Sequence, residues 1–271
     1  MLYIVGTPIG NLEDITQRAI RILGDVSAIY AEDTRKTRAL LSHLGIRGVL
    51  LRQYSEHVHA SAKRAIFDSL ERGEKIALVS DAGMPCISDP GSLLVSEVLK
   101  AGFGVSVIPG PTAESAAVAL SGMVDAGYLF VGFLNAKEVF LKAQIEGAYR
   151  AKASLVGYVA PHDVQRVLKV LRGLLGANAR VALLRELTKV FEEVICGTFD
   201  EVSTSNRVVD PKGEYVLVLP FDALRIDEIP PNLFVEVINC AVSKTMNRSE
   251  RAKSISALTG VSKSKIYQAL G

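Results

Sequence analysis

Lys75-Ile76-Ala77-Leu78-Val79 runs directly into Ser80-Asp81-Ala82-Gly83-Met84-Pro85-Cys86-Ile87-Ser88-Asp89-Pro90-Gly91. The first five residues form a short apolar run of the kind that makes a buried strand. The next twelve form a loop too rich in turn residues for a plain connection. Asp89 and Pro90 then suit a helix start, with Asp89 as cap and Pro90 at the first helical position. That helix is expected to end near Gly102. A strand, an elaborate loop and a helix in this order make one half of a parallel βαβ unit.

The same alternation extends outward on both sides. Upstream, Leu2–Gly6, Val26–Ala31 and Val49–Leu51 read as strands. Helices are expected after each of them: one marked by Ile15, Ala19, Ile22 and Leu23, one over Thr34–Leu44, and one from about His57 to Arg72. Asn11 is the expected cap of the first, with Asp14 as its capping-box-like partner. Downstream, Val105–Ile108 is a strand and Thr112–Ser121 a helix. The pattern predicts an α/β domain with a largely parallel sheet, and such sheets bind ligands beyond the carboxyl ends of their strands. The unusual loops Gly6–Asn11, Glu32–Arg35, Ser80–Asp89 and Pro109–Ala113 all occupy that position.

The second half changes style. Leu129–Phe133, Ser154–Val159, Val181–Arg185, Glu193–Cys196 and Tyr215–Leu219 read as strands, with helices over Lys137–Tyr149 and Pro161–Leu175. Two of these strands follow so closely that no helix fits between them, which predicts a mixed sheet. The chain thus divides into an N-terminal α/β domain over 1–122, a second α/β domain over 123–229, and a helical segment over 230–271. In that last segment helices are expected over Leu233–Val242, Arg248–Leu258 and Ser262–Leu270. Thr259-Gly260-Val261 makes a turn of helix-turn-helix type between the last two.

Charge is informative through its distribution. The formal net charge is only +2. From residue 242 onward, however, Lys244, Arg248, Arg251, Lys253, Lys263 and Lys265 face Glu250 alone. A slightly acidic body therefore ends in a basic tail, which is either a solvated helical surface or a phosphate-backbone contact. Lys263 and Lys265 stand in the first turn of a helix, where the dipole disfavours cations, and this favours a phosphate partner. Cys86, Cys196 and Cys240 are far apart and odd in number, so they read as core thiols rather than a disulfide framework or zinc site. Ala101–Ala113, the longest uncharged stretch, holds five Gly or Pro and is too short to span a bilayer. Met1–Val5 has no signal-peptide character. The expectation is a cytoplasmic protein with no membrane segment.

Each motif has a plain and a functional reading. Gly6-Thr7-Pro8-Ile9-Gly10-Asn11 lacks both the Gly-x-Gly-x-x-Gly spacing and a Walker Gly-Lys-Ser/Thr. It is a simple strand–helix turn or a place where a cofactor lies against bare backbone. In Ser80–Gly91, Asp81 can accept from a ligand amine or ribose hydroxyl, and Gly83 can allow close approach. Pro109-Gly110-Pro111 fixes φ twice around a glycine, and one X-Pro bond is a candidate for the cis form. Asp33 is either a helix cap or a functional carboxylate; Glu32 and Arg35 are candidates for general base and phosphate contact. The four histidines are scattered and have no companion ligands, so no metal site is expected. No serine elbow or nucleophilic cysteine signature occurs.

Taken together, Leu2–Asn11, Glu32–Arg35, Ser80–Gly91, Pro109–Ala113 and Gly132-Phe133-Leu134 resemble the signature blocks of the ribosomal RNA small-subunit methyltransferase I family, a branch of the tetrapyrrole methylases. Tyr158–His162, Arg185-Glu186-Leu187-Thr188-Lys189 and Lys212–Tyr215 agree, in order and along nearly the whole chain. The resemblance implies two α/β domains with S-adenosylmethionine in the cleft between them. It also implies a homodimer, and 2′-O-methylation of a cytidine ribose in the decoding region of small-subunit ribosomal RNA. By the same resemblance, Pro8, Asp81, Gly83, Ile87, Ser88, Ala113 and Phe133 are the cofactor-binding residues. Glu32, Asp33, Arg35 and Glu186 are the catalytic candidates. Arg185, Lys189, Arg248, Lys263 and Lys265 are the RNA-binding candidates, the substrate being the RNA or the 30S subunit. Two blocks depart from the family pattern. Asn135-Ala136-Lys137-Glu138 holds one basic residue where a basic run is usual, and Val159 stands where a glutamate is usual.

Two other readings use parts of this pattern. A small-molecule methylase of tetrapyrrole type needs the same loops but no basic tail. A noncatalytic ribosome-binding factor needs the tail but not Ser80–Gly91.

Overall fold

A computed structural model describes residues 1–55, 58–125, 127–224, 247–259 and 267. The chain divides into two compact units, Met1–Leu120 with Arg185–Glu193, and Ser121–Leu184 with Val194–Gly271.

In the first unit, strands β1 (Leu2–Val5), β2 (Ala28–Ala31), β3 (Leu50–Gln53), β4 (Ile76–Val79) and β5 (Val105–Ile108) alternate with helices. These are α1 (Gln17–Asp25), α2 (Thr34–His43), α3 (His59–Glu71), α4 (Ser92–Lys100) and α5 (Ala113–Ser121). The strands lie in the order β3-β2-β4-β1-β5, and every pairing is parallel. A central strand of such a sheet is covered on both faces, so it must be apolar at every position. The β4 residues Ile76, Ala77, Leu78 and Val79 are all buried, as are the β2 residues Ala28–Ala31. Each fully buried Leu or Ile contributes roughly 1.5–3 kcal/mol. One face packs Leu2, Ile4, Ile66, Leu70, Ile76, Leu78 and Leu94; the other packs Val5, Leu23, Ile29, Ala77 and Val79.

The second unit contains β6 (Tyr128–Phe133), α6 (Glu138–Arg150), β7 (Ser154–Val159), α7 (Val164–Leu175), β8 (Arg180–Arg185), β9 (Glu193–Thr198) and β10 (Tyr215–Leu219), in strand order β6-β7-β10-β8-β9. The sheet is mixed: β6 runs parallel to β7, and β7 antiparallel to β10. Two short helices not foreseen from sequence, α8 (Phe199–Ser203) and α9 (Asn206–Val209), follow β9. Thr198 opens α8 with a capping box, reciprocated by Glu201. Beyond Leu224 the described residues are a helix, α10 (Arg248–Thr259), and Tyr267, whose ring Arg248 covers at 4.4 Å. The expected helices over Leu233–Val242 and Ser262–Leu270, with Lys263 and Lys265, lie outside the described residues apart from Tyr267.

Four local expectations are corrected. Asn11 caps only a one-turn 3-10 segment, Leu12–Asp14, while α1 starts at Gln17 under Thr16, whose hydroxyl accepts from Ala19 N–H at 3.1 Å. Asp89 and Pro90 do not open α4; its cap is Gly91, with no side-chain bond. The chain is still turning there: Cys86 and Ser88 hold left-handed φ values of 72° and 60°, and Gly91 stands at φ 139°. No peptide bond among the described residues is cis, so Pro109 and Pro111 are both trans. Cys196 is exposed rather than a core thiol, because β9 is a strand at the sheet edge whose alternate residues face outward. Among the described residues, no helix is long and apolar enough to cross a membrane.

Candidate functional site at the carboxyl edge of the parallel sheet

β1 and β4 are neighbours whose connections depart in opposite directions. β1 leads through α1 to β2 on one side of the pair, and β4 leads through α4 to β5 on the other. This is a topological switch point, the place where a doubly wound sheet opens a crevice. The loops after β1 and β4 meet there. Thr7 N–H donates to Gly83 O at 2.9 Å and Gly83 N–H returns to Thr7 O at 3.1 Å. The buried Thr7 hydroxyl donates to the carbonyls of Ser80 and Gly83, both at 3.3 Å.

Glycine is required on geometric grounds at two of these contacts. A methyl group at Gly6 would stand 2.7 Å from the Cα and N of Gly110 and from Met84 Sδ. Gly83 has φ 77°, a left-handed value that a side chain disfavours, and lies beside Ile9 and the carbonyl of Pro111. The loops after β1, β4 and β5 therefore meet backbone to backbone. Pro8 is partly exposed at this edge, as is Ala113 at the start of α5; Ile87 and Ser88 are exposed on the β4 loop.

The loop after β2 adds carboxylates. Asp33 caps α2, accepting from Arg35 N–H at 2.8 Å, and its other oxygen takes Arg35 Nη2 at 2.7 Å. The Arg35 side chain and its backbone N–H together hold the Asp33 carboxyl far below the usual carboxylate range. Asp81 reaches across from the β4 loop. Its Oδ1 accepts from Asp33 N–H and its Oδ2 from Lys36 Nζ, both at 2.9 Å. Glu32 is pushed up by burial and then by Asp81, against the pull of Lys36. Asp89 is pushed up to about 6 by burial and by Glu32, with a hydrogen bond from Ser80 opposing. Glu32, Asp81 and Asp89 thus form one electrostatically coupled group.

The segment Arg185–Glu193 belongs to this unit although it lies far along the chain. It seats on Gly10: a methyl group there would come within 2.8 Å of Lys189 Cγ, Leu187 O and Thr188 Oγ1. Glu186 accepts from Lys189 Nζ at 2.9 Å, and Thr188 N–H donates to Glu192 at 2.7 Å. Arg185 is buried, with its guanidinium on Phe191 O at 3.3 Å, so as placed it braces the loop rather than facing solvent.

Most residues singled out from sequence therefore come together in the first unit: Pro8, Glu32, Asp33, Arg35, Asp81, Gly83, Ile87, Ser88, Ala113, Arg185, Glu186 and Lys189. Phe133 ends β6 in the second unit, after a bulge at which Gly132 has φ 66°; the residue is 62% exposed and its ring meets Tyr158 edge-on at 5.5 Å. Arg248 starts α10, away from these loops in sequence and in unit. Sequence reasoning missed Lys36 and the raised proton affinity of Asp89. The signal for Lys36 was its place one helical turn after Asp33.

The residues present suit a nucleoside cofactor bearing a cationic amine. Asp81 has acceptor capacity left beyond its two bonds, the glycines allow backbone contact, and Ile87 with Met84 offers apolar surface. Comparison with known proteins agrees. The family model for Tetrapyrrole (Corrin/Porphyrin) Methylases matches residues 1–203. The chain is 38% identical over 98% of its length to the Ribosomal RNA small subunit methyltransferase I of Halalkalibacterium halodurans, covering 93% of that protein. It is 38% identical, again over 98% of its length and 97% of the relative, to the protein of the same name from Xylella fastidiosa. The crystal structure of the methyltransferase CobJ shares the fold, with a TM-score of 0.62 at 17% identity over 81% of this chain and 93% of that one. On these matches, the chain belongs to the ribosomal RNA small subunit methyltransferase I branch of the tetrapyrrole methylases.

Proposed function

We propose that this protein transfers a methyl group from S-adenosylmethionine to the 2′-hydroxyl of a cytidine ribose in the decoding region of small-subunit ribosomal RNA. The observation that carries the reading is the switch point itself: three loops in backbone contact, with Asp81 anchored beside them, in a chain that matches its named relatives end to end. The cytoplasm as its compartment and a homodimer as its assembly belong to the same reading, by likeness to that family.

The cofactor supplies a methyl group already activated by its sulfonium. Pro8, Gly83, Ile87, Ser88 and Ala113 shape the backbone surface on which it lies, and Asp81 takes its polar groups. Phe133 is assigned to the cofactor on the resemblance of its block. The protein's remaining task is to align the acceptor and help a weakly acidic hydroxyl lose its proton. Of the catalytic candidates Glu32, Asp33 and Glu186, Asp33 is the poorest base, because Arg35 stabilises its charge. Glu186 is neutralised by Lys189. Glu32, whose affinity for protons burial raises, suits the role best. Arg35, with its side chain 86% exposed, is assigned to phosphate contact, and Lys189 is assigned to the RNA on the resemblance of its block. Arg248, Lys263 and Lys265 are assigned to RNA on the basic character of their segment.

The test is to map ribose methylation in small-subunit ribosomal RNA from cells with and without the protein, and to titrate purified protein with S-adenosylmethionine and its demethylated product. One cytidine should lose its 2′-O-methyl group. Asp81→Asn should weaken cofactor binding about tenfold, the loss of roughly one charge-assisted hydrogen bond. Binding of neither compound at concentrations well above micromolar would sink the proposal.

A further inference from the structure

We propose that Lys36 is a positioning residue for the Asp81 carboxylate, fixing it together with the backbone N–H of Asp33 in the orientation that receives the cofactor. The proposal rests on the reading of Asp81 as a cofactor contact.

The first turn of α2 carries Thr34, Arg35 and Lys36 and no acid. A helix N-terminus favours anions and disfavours cations, so two basic residues there work against helix stability. Each has a specific anion. Arg35 is bound to Asp33, at 3.1 Å through Nε and 2.7 Å through Nη2. Lys36 instead crosses to the β4 loop and donates to Asp81 Oδ2 at 2.9 Å. The other oxygen of Asp81 accepts from Asp33 N–H at the same distance. Two anchors on different oxygens fix the rotation of a carboxylate that one anchor would leave free. Asp33 is the N-cap of α2 and Lys36 lies in its first turn, so one helix start sets both.

The surroundings explain why a cation is needed. Glu32 opens the loop after β2, and Asp89 lies in the same loop as Asp81; both couple electrostatically to it. Arg35 does not bind Asp81, since Asp33 holds it. Lys36 is the partner that offsets repulsion between Asp81 and its acidic neighbours and keeps the carboxylate turned toward α2. The Lys36 side chain is 64% exposed against 24% for Asp81, so the ammonium end of the pair is solvated and its contribution to stability is small. A role in positioning and a role in folding therefore separate cleanly.

The experiment compares wild type, Lys36→Met, Lys36→Arg, Asp81→Asn and the Lys36→Met/Asp81→Asn double variant. Calorimetry with S-adenosylmethionine and with its demethylated product gives affinity; thermal unfolding and RNA methylation at saturating cofactor are run alongside. Lys36→Met should weaken both ligands about five- to tenfold and raise the cofactor KM. It should leave kcat and the melting temperature near wild type. Lys36→Arg should restore most of the affinity, and in the Asp81→Asn background Lys36→Met should have no further effect. Wild-type affinity in Lys36→Met, with Asp81→Asn weakened, overturns the positioning role and spares the reading of Asp81. So does a Lys36→Met loss that is undiminished in the double variant. An unchanged Asp81→Asn overturns both.

Discussion

Gly6→Ala tests whether the meeting of the β1 and β5 loops is as tight as the geometry requires. The added methyl carbon would lie 2.7 Å from Gly110 Cα, Gly110 N and Met84 Sδ. Non-bonded carbons rest about 3.5–4.0 Å apart, so roughly 1 Å must be found. Met84 can swing its sulfur aside. The backbone of Gly110 cannot do so cheaply, because a methyl group there meets Gly6 Cα at 2.8 Å in turn. Moving Gly6 instead strains its N–H bond to Ile108 O at 3.0 Å and the adjoining Thr7–Gly83 pair. Overpacking of this kind costs about 1–3 kcal/mol, and the backbone contacts place Gly6→Ala toward the upper end. At roughly 2–4 °C per kcal/mol for a unit of this size, the melting temperature should fall by about 4–10 °C. Cofactor affinity should fall with it, because the displaced loops are those proposed to hold the cofactor.

Gly24→Ala provides the internal control. Gly24 lies in α1, and a methyl group added there meets nothing within 4 Å. Removing a helical glycine at such a site stabilises by about 0.5–1 kcal/mol. Scanning calorimetry and cofactor titration on both variants should thus move in opposite directions for stability and diverge for affinity. A Gly6→Ala protein with the melting temperature and affinity of wild type would refute the claim that backbone contact at the switch point is obligatory.

Two further outcomes follow from the charges. Asp89 holds its proton up to about pH 6 when folded, against an ordinary value near 3.8. The folded state is therefore the better proton binder between about pH 4 and pH 6, and this group's contribution to stability is lost as pH rises through that window. Asp89→Asn should raise the melting temperature relative to wild type above about pH 6, with the gain vanishing near pH 4; a gain of equal size at both ends would show that the coupling is absent. If Lys263 and Lys265 each meet a phosphate, Lys263→Gln/Lys265→Gln should flatten the salt dependence of RNA binding by about 1.4–1.8 in log–log slope. It should leave cofactor affinity unchanged; an unaltered slope would remove both lysines from the interface.

Runs such as Ile76–Val79 and Leu2–Val5 were legible because a strand buried on both faces can be nothing but apolar, and the loops at their ends were legible because they spend more Asp, Gly and Pro than a turn requires. Element boundaries were less so. Asn11 and Asp89 are both good caps by type, yet the chain uses Thr16 and Gly91. A cap signal is local, whereas the loops that hold these candidates are tied by the distant Thr7–Gly83 bridge and carry the left-handed residues Cys86 and Ser88. Long-range pairing leaves no periodic trace. The reach of Asp81 to Lys36 spans 45 residues, and nothing in either segment names the other.

The segment Arg185–Glu193 carries that point furthest. Its residues read as a strand end followed by a charged loop, with no sign of which unit they join. In the structure, Glu186 and Thr188 have left-handed φ values of 51° and 65° without being glycine. Such conformations cost of order 1–3 kcal/mol each and persist only where the surroundings over-determine them. Here Gly10 supplies the room, Glu192 takes the Thr188 N–H, and Lys189 folds back onto Glu186. Between the two strained residues Leu187 is buried, whereas Val190 is 95% and Phe191 67% exposed at the tip. The geometry of this loop is thus set by its contacts with the β1 loop of the first unit, 175 or more residues earlier in the chain, and a reading of the segment as a connection between strands gives no hint of them.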